Sequence, residues 1–296
     1  MRAGVATALA LLALAAGPAA AATHRVGALS VNVDDASAFQ GGMVDVRITS
    51  RRSIRGSVSV VLDGRRCPAF WSAGGLRALV PVPVTFGAGP ATLGIEIRSA
   101  RGRSRYPVPL AIAARERAPE EGVLPPERVE RAAAPEAVRD GRRLQLLLRT
   151  VSRRQEWRAP FAAPVPASPA ETFGVPRAYA GAPQLESTAD AIHGEYHRGL
   201  DYEVAAGTAV AAPATAIVLF AGDLAVTGRT IVLDHGQGLL SVLAHLETIA
   251  VREGELVEAG RVVGAAGETG VAPGPHLHWA VYLHGVAIDP RVTEKL

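Results

Sequence analysis

Two short segments, His197-Arg-Gly-Leu-Asp201 and His276-Leu-His278, carry side chains suited to holding a metal ion, and a further histidine, His245, lies between them. His276, His278, Ala280 and Tyr282 alternate with Leu277, Trp279, Val281 and Leu283, the period-two pattern of a strand, so both imidazoles point to one face. At that spacing they reach a common site, one binding a metal and the other acting on a metal-bound water about one hydrogen bond away. His197 and Asp201, four apart, can share a face of a helix or of an extended segment. Gly194 and Gly199 disfavour the helix, and we read a loop running into a short strand, with Leu200 and Tyr202 turned away from Asp201. Three ligands drawn from His, His and Asp leave one tetrahedral position for water, as in catalytic rather than structural zinc. Cys67 is the single cysteine, which excludes a multi-cysteine zinc site. A lone strand histidine or a lone HxxxD is commonplace packing, but the two motifs in order, each among Gly and Pro turns, converge on a metal-dependent hydrolase.

The pattern extends well beyond the histidines. It includes Phe173-Gly174, His197-Arg-Gly-Leu-Asp-Tyr202, Ala206-Gly-Thr-Ala-Val-Ala-Ala-Pro213 and Ile231-Val-Leu-Asp-His-Gly236, then Ala244-His-Leu246, Val257-Glu-Ala-Gly260, Gly267-Glu-Thr-Gly270 and Gly274-Pro-His-Leu-His-Trp279. In this order and spacing, residues 158 to 293 resemble the lysostaphin/LytM-like zinc endopeptidases, which cut peptide cross-links in bacterial peptidoglycan. Carried over by position, the resemblance implies that His197, Asp201 and His278 bind Zn²⁺ and that His276 and His245 act in catalysis. The base role then falls to His276 and the oxyanion-steadying role to His245. Leu243 departs from the tyrosine that family members often carry two residues before the middle histidine, which puts in doubt how His245 is held or how substrate is seated. Peptidoglycan peptides are the implied partner, with a regulatory protein as a further one. The other readings are a non-hydrolytic activator or scaffold of another wall hydrolase, and a secreted endopeptidase directed at foreign proteins or walls. The complete ligand set disfavours the first, and the second lacks any separate wall-targeting repeat.

Glu195, Glu203 and Glu268 lie near the motifs, yet no HExxH is present, so a histidine base ranks ahead of a glutamate one. His193 sits in a Gly-containing loop and is read as outside the ligand set. His235 and His284 are read as turn residues.

Positioning such a site takes a sheet. In residues 158–296, candidate strands around Ala209, Ile217–Phe220, Thr230–Asp234, Leu239–His245 and His276–Leu283 are separated by turns expected at Gly222-Asp223, Thr227-Gly228, Gly236–Gly238 and Gly285. They predict an antiparallel β zinc-peptidase domain whose open groove admits an extended peptide. Residues 185–195 stand just ahead of the first ligand motif, where a lid could form. Upstream, alternation at Val44/Val46/Ile48, Val80/Val82/Val84/Phe86, Ile95/Ile97 and Tyr106/Val108/Leu110/Ile112 predicts an immunoglobulin-like β-sandwich over residues 23–115, an accessory module without a catalytic cluster. Residues 116–157 read as a linker with an amphipathic helix, Leu144, Leu147, Leu148 and Val151 on one side and arginines around them. Packing against a domain is its expected role, ahead of docking on wall polymer, membrane or regulator. The fold class is mainly β.

The chain opens with Met1-Arg2, an apolar run from Val5 to Ala16 and small residues near Ala20–Ala22, a secretory signal peptide over residues 1–22. The run is short for a bilayer span, so stable membrane insertion is not expected, and periplasmic or secreted location follows. With one cysteine there is no internal disulfide, and 296 residues at 48% hydrophobic suffice for two cores. Lys295 is the sole lysine among 31 basic residues, which points to genome composition more than to a selected binding surface, and the net charge of only +3 lends nucleic-acid binding little support while leaving room for weak attraction to an anionic wall.

Overall fold

A computed structural model describes residues 22–100, 102–118, 120–123, 126–158, 160–180 and 196–296. The expected leader up to residue 21, His193, Glu195 and the candidate lid 185–195 lie outside the described residues.

The N-terminal half is built from nine antiparallel strands: β1 (Ala22–Val26), β2 (Leu29–Asp34), β3 (Met43–Ser50), β4 (Ser57–Leu62), β5 (Arg65–Pro68), β6 (Phe70–Ser72), β7 (Gly75–Pro81), β8 (Gly89–Ser99) and β9 (Gly102–Ile112). They form one sheet in the order β1-β2-β3-β7-β6 and another in the order β5-β4-β8-β9. Alternation drives the pairing of layers. Val31, Val44, Val46 and Val80 from the first sheet and Val60, Ile95 and Val108 from the second are buried in one apolar cluster. Asp63 and Gly64 both take positive φ, 48° and 74°, as the tight β4–β5 hairpin requires. Cys67 is buried there, and burial pushes its thiol up to about 12, so it stays protonated.

One expected strand is shorter than its pattern. The alternation through Val84 and Phe86 outlasts β7, which stops at Pro81 because Pro81 and Pro83 have no N–H to donate to a ladder. The chain turns instead, with Phe86 N donating to Pro83 O at 3.0 Å. Val84 then packs against the core of the C-terminal half, beside Met43 and Leu79. The two halves therefore share apolar contact. Polar ties flank it: Arg115 pairs with Asp289, Asp289 N donates to Gly41 O at 2.7 Å, and Arg117 Nε donates to Phe173 O at 3.0 Å.

The connecting region is more structured than a linker. Its strand β10 (Glu120–Val123) pairs in parallel with β11 (Arg177–Ala180), and two helices follow, α1 (Pro126–Ala133) and α2 (Pro135–Leu147). Helix α2 ends with Leu148 N donating to Leu144 O at 2.9 Å, so Val151 falls beyond it and is exposed, against the expectation of one continuous stripe. Leu144 and Leu148 are buried against Phe220, Val232, Val242 and Tyr282. Arg143 lies 4.7 Å over the Phe220 ring, and Asp140 accepts from Ala225 N at 2.9 Å. The packing role holds, with the other arginines of α2 on its outer side.

The C-terminal half is an antiparallel nine-stranded sheet whose main path runs β12 (Gly199–Tyr202), β19 (Leu277–Leu283), β16 (Leu239–Ile249), β15 (Gly228–Gly236), β14 (Ala216–Leu224), β17 (Leu256–Val257). Off this path, β13 (Ala209–Ala211) and β18 (Val262–Ala266) pair with each other and β18 with β16, while β20 (Val286–Ile288) pairs with β19. Gly222 and Asp223, expected as a turn, lie inside β14 opposite Thr230 and Arg229; the turn is Ala225–Thr227. His235 is also no turn residue. It sits in β15 with its ring buried, Nε2 2.8 Å from Ser241 Oγ and Nδ1 3.1 Å from Thr215 O. His284 does occupy the β19–β20 hairpin tip, at φ 50°.

Burial pushes His235 and His284 down to about 4. Between about pH 6.5, the ordinary histidine value, and about 4, the unfolded chain therefore binds more protons than the folded one, so stability is full above that window and falls through it on acidification. Each histidine adds a slope of at most about 1.4 kcal/mol per pH unit. Urea unfolding at a series of pH values is expected to show this decline, shallower by about one proton in His235→Gln. An unchanged slope in the variant counts against it.

Candidate active site

The register of β19 with its two neighbours sets the site. Asp201 in β12 stands opposite His278, and on the other side Ala244 in β16 also stands opposite His278. Residues directly opposite share a face, so Asp201, His278 and Ala244 lie on one side of the sheet. Leu200, Trp279 and Leu243 lie on the other, within the main core. Leu243, which put in doubt how His245 is held or how substrate is seated, is thus on the core side of the sheet. His276, two positions before His278, continues the site face, its N donating to Gly267 O at 3.0 Å. His197 enters just ahead of β12, where its N donates to Val175 O at 2.9 Å and its O accepts from Gly174 N at 2.7 Å.

His245 follows Ala244, and a regular pleat would send its ring into the core face. The backbone avoids this by a local twist: His245 takes φ 61°, and the ladder breaks register between Leu246 and Thr248. The ring then lies with its centroid 4.7 Å from that of His276 and 6.1 Å from that of His278. A left-handed residue costs about 1–2 kcal/mol. It is held by His245 N donating to Thr227 O at 2.8 Å and by Nδ1 donating to Thr269 O at 2.8 Å. Thr269 is itself pinned, its hydroxyl donating to Leu246 O at 2.7 Å and accepting from Arg229 N at 2.9 Å. Gly228 makes room for it, since a Cβ there would sit 2.2 Å from Thr269 Oγ1.

Three candidate ligand atoms converge. Asp201 Oδ1 is 2.8 Å from His278 Nδ1 and 3.2 Å from His197 Nε2, and the two nitrogens are 3.1 Å apart. Atoms bound tetrahedrally at zinc–nitrogen and zinc–oxygen distances are about 3.3 Å from each other, so the trio already has nearly the edges of one face of such a tetrahedron. Among the described residues it is the only group of three or more such side chains placed to hold a metal. Burial works against the Asp201 carboxylate, but hydrogen bonds from His197 and His278 and their charge outweigh it and hold the carboxyl well below its usual range. It is therefore ionised and ready to ligate.

The other two imidazoles are oriented rather than clustered for ligation. His276 Nδ1 lies 2.9 Å from Gly274 O, and His245 Nδ1 is tied to Thr269 O. A carbonyl only accepts, so Nδ1 carries the proton in both rings and Nε2 holds the lone pair when the ring is neutral. His276 Nε2 is 3.9 Å from Asp201 Oδ1, at the edge of the trio. All five residues singled out in the sequence thus meet in one place, whereas Glu203 and Glu268 are exposed outside it.

In the sequence Gly199 reads only as disfavouring a helix, and Thr172 is not singled out. A Cβ on Gly199 would lie 2.8 Å from the His278 ring and 2.5 Å from Trp279 O, so only glycine lets β12 approach β19 this closely. Thr172 Oγ1 accepts from Asp201 N at 3.2 Å and fixes the strand that carries the carboxylate. The Gly within His-Arg-Gly-Leu-Asp was a visible signal for the first; the adjoining Phe173-Gly174 belongs to the pattern, but nothing in it marks the Thr172 hydroxyl.

Residues 195–290, which contain all five side chains, match peptidase family M23. The chain carries a peptidase family M23 domain. M23 is a metallopeptidase family. The M23 segment is 38% identical over 101 residues to an uncharacterized metalloprotease of Haemophilus influenzae, covering 34% of this chain and 21% of that protein. It is 32% identical over 98 residues to the peptidoglycan DD-endopeptidase ShyC of Vibrio cholerae, covering 33% of this chain and 23% of that one. The chain thus spans less than a quarter of these two relatives. A solved structure from Pseudomonas aeruginosa, assigned to peptidase M23, is similar over 87% of this chain and 95% of its own, at 26% identity and a TM-score of 0.62. That likeness reaches beyond the M23 segment into the N-terminal sheets.

Gly199→Ala is expected to push the His278 ring out of the trio and to weaken divalent-metal affinity at least about tenfold with the circular-dichroism spectrum retained. Competition against a chromogenic chelator measures it. Equal affinity in the variant would show that the ladder can open without moving His278.

Proposed function

We propose that this chain is a zinc-dependent endopeptidase that hydrolyses peptide cross-links of bacterial peptidoglycan in cell-wall remodelling, exported to the periplasm or beyond by its N-terminal leader. The observation that carries the reading is the convergence of Asp201, His197 and His278 at near-tetrahedral separations, with two further imidazoles fixed beside them. The named DD-endopeptidase relative supports the substrate class.

In this reading His197 Nε2, Asp201 Oδ1 and His278 Nδ1 are the zinc ligands. The bound ion supplies Lewis acidity, acidifying water and polarising the scissile carbonyl. His276 Nε2 takes the proton from the attacking water as its oxygen bonds to the carbonyl carbon, and returns it to the departing amine as the C–N bond breaks. His245, when protonated, donates from Nε2 to the developing oxyanion, and its twisted backbone sets the direction of that donor. The hydrogen bonds from Nδ1 to Gly274 O and Thr269 O keep both rings in the orientation these transfers need. Residues 23–115 serve as an accessory module of immunoglobulin-like type, a view supported by their two antiparallel sheets around a common apolar core.

Chelation is expected to stop release of cross-linked muropeptides from purified peptidoglycan, read by mass spectrometry. His278→Ala is expected to lose bound zinc and activity together. His276→Ala is expected to keep its zinc while the rate falls about 10²- to 10⁴-fold. Equal zinc loss in both variants would reverse the division of roles, and no product from the metal-loaded wild type would sink the endopeptidase reading.

A further inference from the structure

Of the three tryptophans one is strongly exposed, and it is far from the M23 site. Trp71 is 70% exposed, whereas Trp157 and Trp279 are 2% and 0%. It stands on β6, the edge strand of the five-stranded sheet, beside a cleft of about 390 Å³. The cleft lies between the loop after β3 and the β6–β7 hairpin, and its lining includes Thr49, Arg51, Arg52, Ser53, Trp71 and Gly74. No acidic residue lines it. Neither Arg51 nor Arg52 enters an ion pair with another described residue.

The cleft is built rather than accidental. Ser50 Oγ accepts from Arg52 N at 3.1 Å, fixing the turn that presents both arginines. Gly75 takes φ 135°, and a Cβ there would lie 2.7 Å from Ile48 O, so only glycine brings the hairpin against β3 to form the far wall. The strand β7 runs from this end to Pro81, next to the contact with the C-terminal half, so the cleft is about 20 Å from the junction of the two halves.

We propose that this cleft is a second binding site, for a peptidoglycan glycan strand that carries anionic peptide stems. The inference rests on the peptidoglycan reading above. An exposed indole offers a flat, electron-rich face, and a pyranose ring offers a matching face of C–H groups. The unpaired guanidiniums meet the carboxylates of the stems, in a planar geometry suited to two-point hydrogen bonding. The hydroxyls of Thr49 and Ser53 are placed for sugar hydroxyls, and the volume accommodates a small ligand segment. A strand held here is tethered to the enzyme, which raises the local concentration of cross-links at the M23 site without adding a contact there.

The test uses the full chain, stripped of metal for the binding arms so that the wall is not digested. Because Trp71 is the exposed indole, its iodide quenching reports the site. An uncross-linked glycan fragment with peptide stems is expected to shield it. Trp71→Ala and the double variant Arg51→Ala/Arg52→Ala are expected to lose affinity for purified sacculi at least about tenfold, the double variant with a weaker salt dependence. With metal restored, digestion of sacculi is expected to slow severalfold in both variants, while hydrolysis of a small, sugar-free cross-linked peptide dimer matches wild type. Unchanged sacculus binding in both variants, or no shielding by the glycan fragment, overturns the proposal. So does a finding that Trp71→Ala turns a dimer into a monomer with sacculus binding intact, since the cleft would then be a contact between copies. If wild type holds sacculi through Trp71 yet cuts no peptide, the endopeptidase reading fails while the binding site stands.

Discussion

Asp201 and His278 face each other across the β12–β19 ladder with 2.8 Å between Oδ1 and Nδ1, and the side-chain period of two makes that register unforgiving. A slip of one residue would carry the carboxylate and the imidazole to the core face and bring Leu200 and Trp279 out. Burying an unpaired carboxylate among those side chains would cost several kcal/mol. The apolar face therefore enforces the polar one, and the tightness of the ladder at Gly199 is what brings the two strands close enough for the trio to form.

The sheet divides its labour by face. One side buries Leu200, Trp279, Leu243 and Leu233 in the main core. The other carries the histidines at one end, and its remaining apolar residues, among them Val242 and Tyr282, are covered by Leu144 and Leu148 of α2. Without that helix the open end of the sheet would be a large exposed apolar patch beside a polar groove. Arg143 lies over the Phe220 ring, and Arg139 and Arg142 lie exposed on the outer side of the helix.

Much of this was legible in the chain. Alternation in His276–Leu283 placed two imidazoles on one face, and the glycines around His197 and Asp201 pointed to an extended segment, which is what β12 supplies. The antiparallel, mainly β character followed from period-two patterns throughout. What the pattern could not carry was backbone conformation set by distant partners. His245 reaches the site through a left-handed twist held by Thr227 and Thr269, and simple alternation from Ala244 assigns it to the wrong face. Val84 and Phe86 keep the strand rhythm but lose the strand to two prolines. Gly222-Asp223 has turn-forming composition, yet pairing with β15 absorbs it. His235 sits before a glycine like a turn residue, and only the fold shows its ring sealed against Ser241 and Thr215.

The contact among Met43, Leu79, Val84 and the C-terminal core has a consequence for how such a chain is inherited and expressed. Modules joined by a bare tether can be shuffled, trimmed or lost one at a time. Here the front half lends apolar side chains to the body of the back half, so cutting between them would leave an oily scar on each piece. Separating the two would expose apolar surface on each side of that seam.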